Sequence, residues 1–229
     1  MCGRFAFYSP HEAMVRLFGL QGDFEVEPHY NIAPAQFVPT VRHDKAAARR
    51  LALLYWGLVP SWAKGKSIGA RMINARAETV SEKPSFRSPF RRRRCLVLAD
   101  GYYEWQALPQ GKQPHFIRMR SGAAFAMAGL WESWREGDDI EPLESCAIVT
   151  TDASVELAHI HNRMPVILQA AQYDFWLDRH NEDAAALTRL LLPFPGRAME
   201  AVAVSKRVNS ARNDDADLVK SAAGKQEVE

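Results

Sequence analysis

The chain has 229 residues, 47% apolar and 24% charged, with a formal net charge of +2. That size and apolar content suit one soluble globular domain, and the longest uncharged apolar-rich stretch, residues 123–131, is far too short to cross a membrane. Cys2, Cys95 and Cys146 are odd in number and far apart, which argues against a disulfide framework, and no basic segment followed by an apolar one opens the chain, so a cytoplasmic setting is expected.

Residues 2–7 read as a short first strand. Ser9-Pro10-His11-Glu12 has the form of a capping box with Pro at the first helical position. Ala13, Met14, Leu17 and Phe18 then line one apolar face of a helix that Gly19 ends. A loop is predicted around Tyr30, Asn31, Ile32, Ala33 and Pro34, and strands at 37–42 and 50–56. Residues 57–63, with Pro60 and Trp62, form a turn-rich connector. Further strand patterns fall at 95–99, 102–106, 115–120, 125–131, 146–151, 164–168 and 199–205. Helical patterns follow Asn74, span 154–159, and run from 171 to 192 with a break near His180. Many strands with few intervening helices predict an α+β fold, a single domain around a largely antiparallel, barrel-like β-sheet with peripheral helices. That domain is expected to cover residues 1–215. The chain from Ala211 carries Asp214, Asp215 and Asp217 without an aromatic residue, and residues 216–229 are expected to be a flexible polar tail.

The charge is unevenly placed. Residues 71–95 hold Arg71, Arg76, Lys83, Arg87 and the four arginines 91–94 against Glu78 and Glu82, a net +6 that leaves −4 for the rest. Such a field fits a phosphate-bearing partner, or equally a solvated basic face or a set of internal ion pairs.

The second residue carries the sharpest chemistry. Aminopeptidases remove an initiator Met when the next residue is small, and Cys2 qualifies. Trimming leaves an α-amine and a thiol on one residue, the pair that traps an aldehyde as a Schiff base and then as a five-membered thiazolidine. An α-amine has a reference pKa of about 7.7–8.0, so on the order of a tenth is unprotonated at pH 7. Taken alone, Cys2 also reads as an incidental small residue at the start of a strand.

Three other segments can carry chemistry. Asn74 and Arg76, in Ile73-Asn74-Ala75-Arg76-Ala77-Glu78, sit at a predicted strand-to-helix junction, where Asn74 either caps the helix or joins Arg76 in gripping a sugar-phosphate. Glu104, in Tyr102-Tyr103-Glu104-Trp105, alternates onto one strand face with Tyr102. It is either a raised-pKa proton shuttle or half of a buried ion pair. His159-Ile160-His161-Asn162-Arg163 puts imidazoles beside an arginine in a loop, suited to acid–base work on a phosphorylated substrate. Neither CxxC nor HExxH spacing accompanies these histidines and cysteines, and no metal or other cofactor is expected.

Met1-Cys2-Gly3-Arg4-Phe5, Tyr30-Asn31-Ile32-Ala33-Pro34 and Trp56-Gly57-Leu58-Val59-Pro60-Ser61-Trp62 begin an ordered series. It continues through Ile73-Asn74-Ala75-Arg76-Ala77-Glu78-Thr79, Arg94-Cys95-Leu96, Ala99-Asp100-Gly101-Tyr102-Tyr103-Glu104-Trp105 and Ile160-His161-Asn162-Arg163-Met164-Pro165. The series closely resembles the SOS-response-associated peptidase (SRAP) family of abasic-site processing proteins, in order from Cys2 to about Asp215.

The resemblance implies a DNA-damage protein that binds abasic sites in single-stranded DNA and crosslinks to them covalently. By matched motif, Cys2 is the crosslinking residue, Asn74 orients its amine and the sugar, Glu104 transfers protons and His161 assists sugar ring opening. Arg4, Arg76 and Arg163 match the phosphate and backbone contacts, and Pro34, Trp62 and Thr150 match DNA-packing and pocket-lining positions. The arginines at 91–94 have no catalytic counterpart. A monomer is expected, working in the cytoplasm and at the nucleoid when DNA is damaged, with lyase and self-reversal activity. Two other readings stay open: a thiol (auto)peptidase using Cys2 with His161 as base, and a non-catalytic single-strand binding module.

Overall fold

The computed structural model describes residues 2–20, 24–44, 46–137 and 140–222. Strand β1 (Phe5–Phe7) leads to helix α1 (His11–Phe18), then β2 (His29–Ile32), β3 (Phe37–His43), β4 (Arg49–Trp56) and β5 (Asn74–Arg76). Helix α2 (Arg87–Arg92) precedes β6 (Arg94–Ala99), β7 (Gly101–Leu108), β8 (Gly111–Met119), β9 (Phe125–Trp134) and β10 (Leu143–Asp152). The last part holds β11 (Arg163–Pro165), β12 (Ile167–Leu168), α3 (Tyr173–Leu177), α4 (Ala184–Thr188) and β13 (Met199–Ala203).

Five strands close a ring. β3 pairs with β4 and β6, β6 with β9, and β9 with β10, all antiparallel. β10 completes the circuit by lying parallel to β4, with Ser145 opposite Tyr55 and Cys146 opposite Trp56. Closure leaves β6 no exposed face, and all six of its residues are buried. The predicted α+β class with a barrel-like, largely antiparallel sheet is what the chain adopts.

A second, fully antiparallel sheet runs β13-β8-β7-β1-β2. Its strands alternate as period-two patterning demands. Tyr102 and Phe5, paired across β7 and β1, join the main core, whereas Tyr103 packs on the other face with Ala6, Phe116, Val204, Val208 and Leu218. Glu104 therefore shares the barrel-side face with Tyr102.

Local chemistry redirected several predicted elements. Gly19 ends α1 in the left-handed region, φ 66°, with its N–H bonded to the Val15 carbonyl, as expected. The capping box does not form. Asp100 takes the Ser9 hydroxyl (2.5 Å) and the backbone N–H groups of Tyr8 and Ser9, so Pro10 stands at the helix N-cap without a side-chain cap. The predicted 30–34 loop begins as β2, and residues 155–160 form turns, not a helix. The helical pattern at 171–192 divides into a short 3₁₀ turn, α3 and α4. Beyond Ala211 the chain lies against β2. Asp214 accepts from the N–H groups of Tyr30 and Asn31, Leu218 is buried, and Val204 bridges Ser221. Residues 223–229 of the predicted tail lie outside the described residues.

The arginine run splits by role. Arg94 is buried, and its guanidinium donates to the carbonyl oxygens of Phe90, Arg91, Trp176, Asp178 and Asn181. Arg93 pairs with the buried Glu132 at 2.6 Å and Arg92 with the exposed Glu182 at 3.0 Å. Arg91 is exposed.

Candidate active site

β5 is the piece that positions the N-terminus. It lies parallel to β10, with Asn74 opposite Ile148 and Arg76 opposite Thr150. Asn74 therefore belongs to a strand, not to a helix cap, and turns follow it until α2 begins at Arg87. Its side-chain amide donates to the Cys2 carbonyl oxygen at 2.8 Å, tying the second residue to the wall of the barrel. The other amide atom, Asn74 Oδ1, is buried without a hydrogen-bond partner among the described residues, as is Thr150 Oγ1. Asn74 thus brings an unpaired buried acceptor beside Cys2, which native interiors rarely tolerate without use.

Cys2 is fully buried. Burial pushes its thiol far up, and the nearby Glu104 charge pushes the same way; the Arg4 backbone N–H opposes them by donating to the sulfur. The thiol is accordingly held as S–H. Tyr102 is also pushed up by burial, with Cys2 and Glu104 both contributing, which places the three groups in one electrostatic neighbourhood.

Glu104 is 3% exposed, and burial raises its carboxyl above the usual carboxylate range, with His161 opposing the shift. His161 Nε2 stands 4.0 Å from Glu104 Oε2. Nδ1 of the same ring accepts the Arg163 backbone N–H at 3.0 Å, so in the neutral ring Nε2 carries the proton and faces the carboxyl. The loop holding His161 is pinned at both ends. Leu157 and Ile160 are buried, Ala153 N–H bonds to the Asn162 carbonyl, and Arg163 forks onto Glu78 (2.5 and 3.0 Å) while also reaching Asp152 (2.8 Å) and the Thr150 carbonyl (2.7 Å).

Cys2, Asn74, Glu104, His161, Arg163 and Thr150 are therefore brought together. The remaining predicted residues differ in setting. Arg4 directs its guanidinium inward, to Asn31 Oδ1 (2.7 Å) and the Val208 carbonyl (2.8 Å). Arg76 is exposed and makes no ion pair among the described residues. Pro34 is half-buried in the turn after β2. Trp62 is 59% exposed and lines, with Lys64, Ile68 and Arg71, an open concavity of about 370 Å³ whose walls include none of Cys2, Asn74, Glu104 or His161. Sequence reasoning missed Glu78 and Asp152 as the carboxylates that hold Arg163, and Asn31 as the clamp on Arg4. Glu78 stood inside a quoted motif, but nothing local marked its partner 85 residues away.

Acid–base groups thus gather around a buried cysteine at position 2, where a short parallel strand meets the barrel. The chain belongs to the SOS response associated peptidase (SRAP) family, whose model matches residues 1–211. It is 43% identical over 225 residues to abasic site processing protein YoqW of Bacillus subtilis (strain 168), across 96% of this chain and all of that protein. Abasic site processing protein HMCES of Gallus gallus is 34% identical over 217 residues, across 82% of this chain and 64% of that protein. A crystal structure of a protein from Bacteroides thetaiotaomicron superposes with a TM-score of 0.86 at 27% identity, covering 96% of this chain and 100% of the other. A phage-related protein from Bordetella bronchiseptica gives 0.72 at 31% identity, covering 90% and 95%.

Proposed function

We propose that the protein captures abasic sites in single-stranded DNA through Cys2, after loss of Met1, and holds them as a thiazolidine crosslink. The observation that carries this reading is the Asn74 amide on the Cys2 carbonyl, which positions residue 2 beside a carboxyl–imidazole pair. The names of the similar proteins agree with it.

An abasic deoxyribose exchanges between a closed hemiacetal and an open aldehyde. As the C1′–O4′ bond breaks, the ring oxygen takes a proton from His161 Nε2, and the C1′ hydroxyl gives one up to the Glu104 carboxylate, which returns it to His161. The Cys2 amine attacks C1′, and Glu104 shuttles protons as the carbinolamine loses water to become an imine. The thiol sulfur then bonds to C1′ while its proton passes to nitrogen, so aldehyde and cysteine combine with net release of one water. The raised thiol pKa suits this order, because a thiol kept as S–H leaves first attack to the amine. The same shift weighs against a thiol peptidase, which needs a ready thiolate. An imine that escapes closure can undergo β-elimination, giving lyase activity, and Glu104 running its transfers backwards reverses the link.

A synthetic abasic oligonucleotide tests the reading. The wild type should give an adduct that survives denaturation, with an intact mass equal to Met1-free protein plus DNA minus water. Cys2→Ala, or a tag on the N-terminus, should abolish it. A heat-stable adduct from Cys2→Ala would overturn the assignment.

A further inference from the structure

The geometry points to a second phosphate-binding groove on α2, where Arg87 and Arg91 take the backbone of the same DNA strand beyond the lesion. The inference rests on reading the chain as a single-strand binder, and it concerns residues given no role above. An open concavity of about 460 Å³ is lined by Ser81, Glu82, Arg87, Ser88, Arg91 and Arg92. Arg92 is already paired with Glu182. Arg87 and Arg91 are exposed, and neither has an ion pair among the described residues, Glu82 of the same concavity included.

Local helix physics disfavours this placement. Arg87 and Arg91 stand one turn apart, where like charges repel, and Arg87 occupies the first turn of α2, whose dipole repels a cation. An external anion relieves both penalties. Phosphodiester is the favoured class because the groove is joined to the site by a run of turns. Thr79 N–H bonds to the Arg76 carbonyl, Glu82 and Lys83 N–H to that of Thr79, and Arg87 N–H to that of Lys83. At roughly 2 Å per residue in such turns, Ser81 lies within about 10 Å of exposed Arg76. That is about three nucleotides at the 3.4 Å rise of a DNA strand. A strand leaving the site past Arg76 would have the groove within reach.

Binding of a long, fluorescein-labelled thymidine oligonucleotide without any lesion, followed by anisotropy across NaCl concentrations, tests this. The double variant Arg87→Ala, Arg91→Ala should flatten the log–log salt slope by about 1.4, at about 0.7 per phosphate on a single strand. Affinity at 0.15 M salt should fall roughly tenfold. Arg87→Lys with Arg91→Lys should restore both. Abasic oligonucleotides extended only 5′ or only 3′ of the lesion assign the direction, since only the arm that reaches the groove should respond to the double variant. An unchanged slope and affinity overturn the proposal. So does a variant that binds thymidine normally but loses polyglutamate, which would give the groove to an acidic protein. Because the main probe carries no aldehyde, failure of Cys2 to form an adduct leaves this result intact.

Discussion

Replacing Arg94 with Ala separates an arginine that holds the fold from one that holds nucleic acid. Arg94 is 3% exposed, and the five carbonyls it meets lie at or just beyond the C-terminal ends of α2 and α3, where helix dipoles are negative. Burial draws its pKa from the ordinary 12.5 down to about 10. That shift corresponds to a cost on the order of 3 kcal/mol for keeping the charge inside. Against it stand five charge-assisted hydrogen bonds, worth about 1.5 kcal/mol each at the low end, or about 7 kcal/mol together. The balance favours the folded state by about 4 kcal/mol, a large share of the 5–15 kcal/mol typical of a domain. Arg94→Ala should therefore lower the unfolding free energy by that amount, which at an unchanged m-value of about 2 kcal/mol/M is a fall of about 2 M in the urea midpoint, read by tryptophan fluorescence. Arg94→Lys, with three donors for five acceptors, should recover less than half. The salt slope of DNA binding by the folded fraction should not move. An Arg94→Ala protein within about 0.5 kcal/mol of wild type, with a flatter salt slope, would refute the reasoning.

Asn74→Ala removes the 2.8 Å bond to the Cys2 carbonyl and should slow adduct formation about five- to tenfold, at roughly 1 kcal/mol for the lost bond, with little change in thermal midpoint; an unchanged rate would leave Asn74 a strand residue only. Glu104→Gln should slow release of crosslinked DNA and flatten the pH profile above the usual carboxylate range, where burial places the wild-type titration. Because that pKa is raised, the stability linked to it is present below the ordinary carboxyl value and lost as pH rises through the raised one. Urea midpoints of wild type should thus fall relative to Glu104→Gln over that rise, and parallel curves would contradict the burial argument. Arg76→Ala should flatten the single-strand salt slope by about 0.7. Arg163→Ala should instead leave the slope alone and slow adduct formation, because Glu78 and Asp152 already neutralise its guanidinium; equal slope changes for the two variants would show that DNA displaces those carboxylates.

The barrel strands were legible because each buries a continuous or alternating apolar face, a signal that needs no partner. Residues 95–99 and 125–131 are the clearest cases. What escaped was structure made by distant polar groups. Ser9 satisfies every local rule for a helix cap, yet Asp100, 91 residues on, takes its hydroxyl. β5 has three residues and no strand pattern of its own; it exists because β10 offers a parallel edge. The Asp-rich end of the chain looked unable to pay for ordering, but Asp214 is spent on the backbone N–H groups of β2 and Leu218 fills a pocket on the outer sheet face.

The site divides along the same line. Cys2 could be singled out from sequence because an amine and a thiol on one residue define a chemistry whatever the fold, and Glu104 because alternation set its face. Arg163 looked identical to Arg76 in one dimension. Only the fold spends one on two carboxylates and leaves the other in solvent. The order of bond formation in the proposed crosslink was likewise invisible, since the argument for it rests on burial. A solvated cysteine would offer a thiolate as readily as an amine, and the first adduct would be a hemithioacetal open to exchange. In the proposed chemistry, burial that keeps the thiol protonated beside a raised carboxyl leaves first attack to the amine, so the imine would form before the sulfur bond, and Glu104 would serve both the forward and the reverse proton transfers.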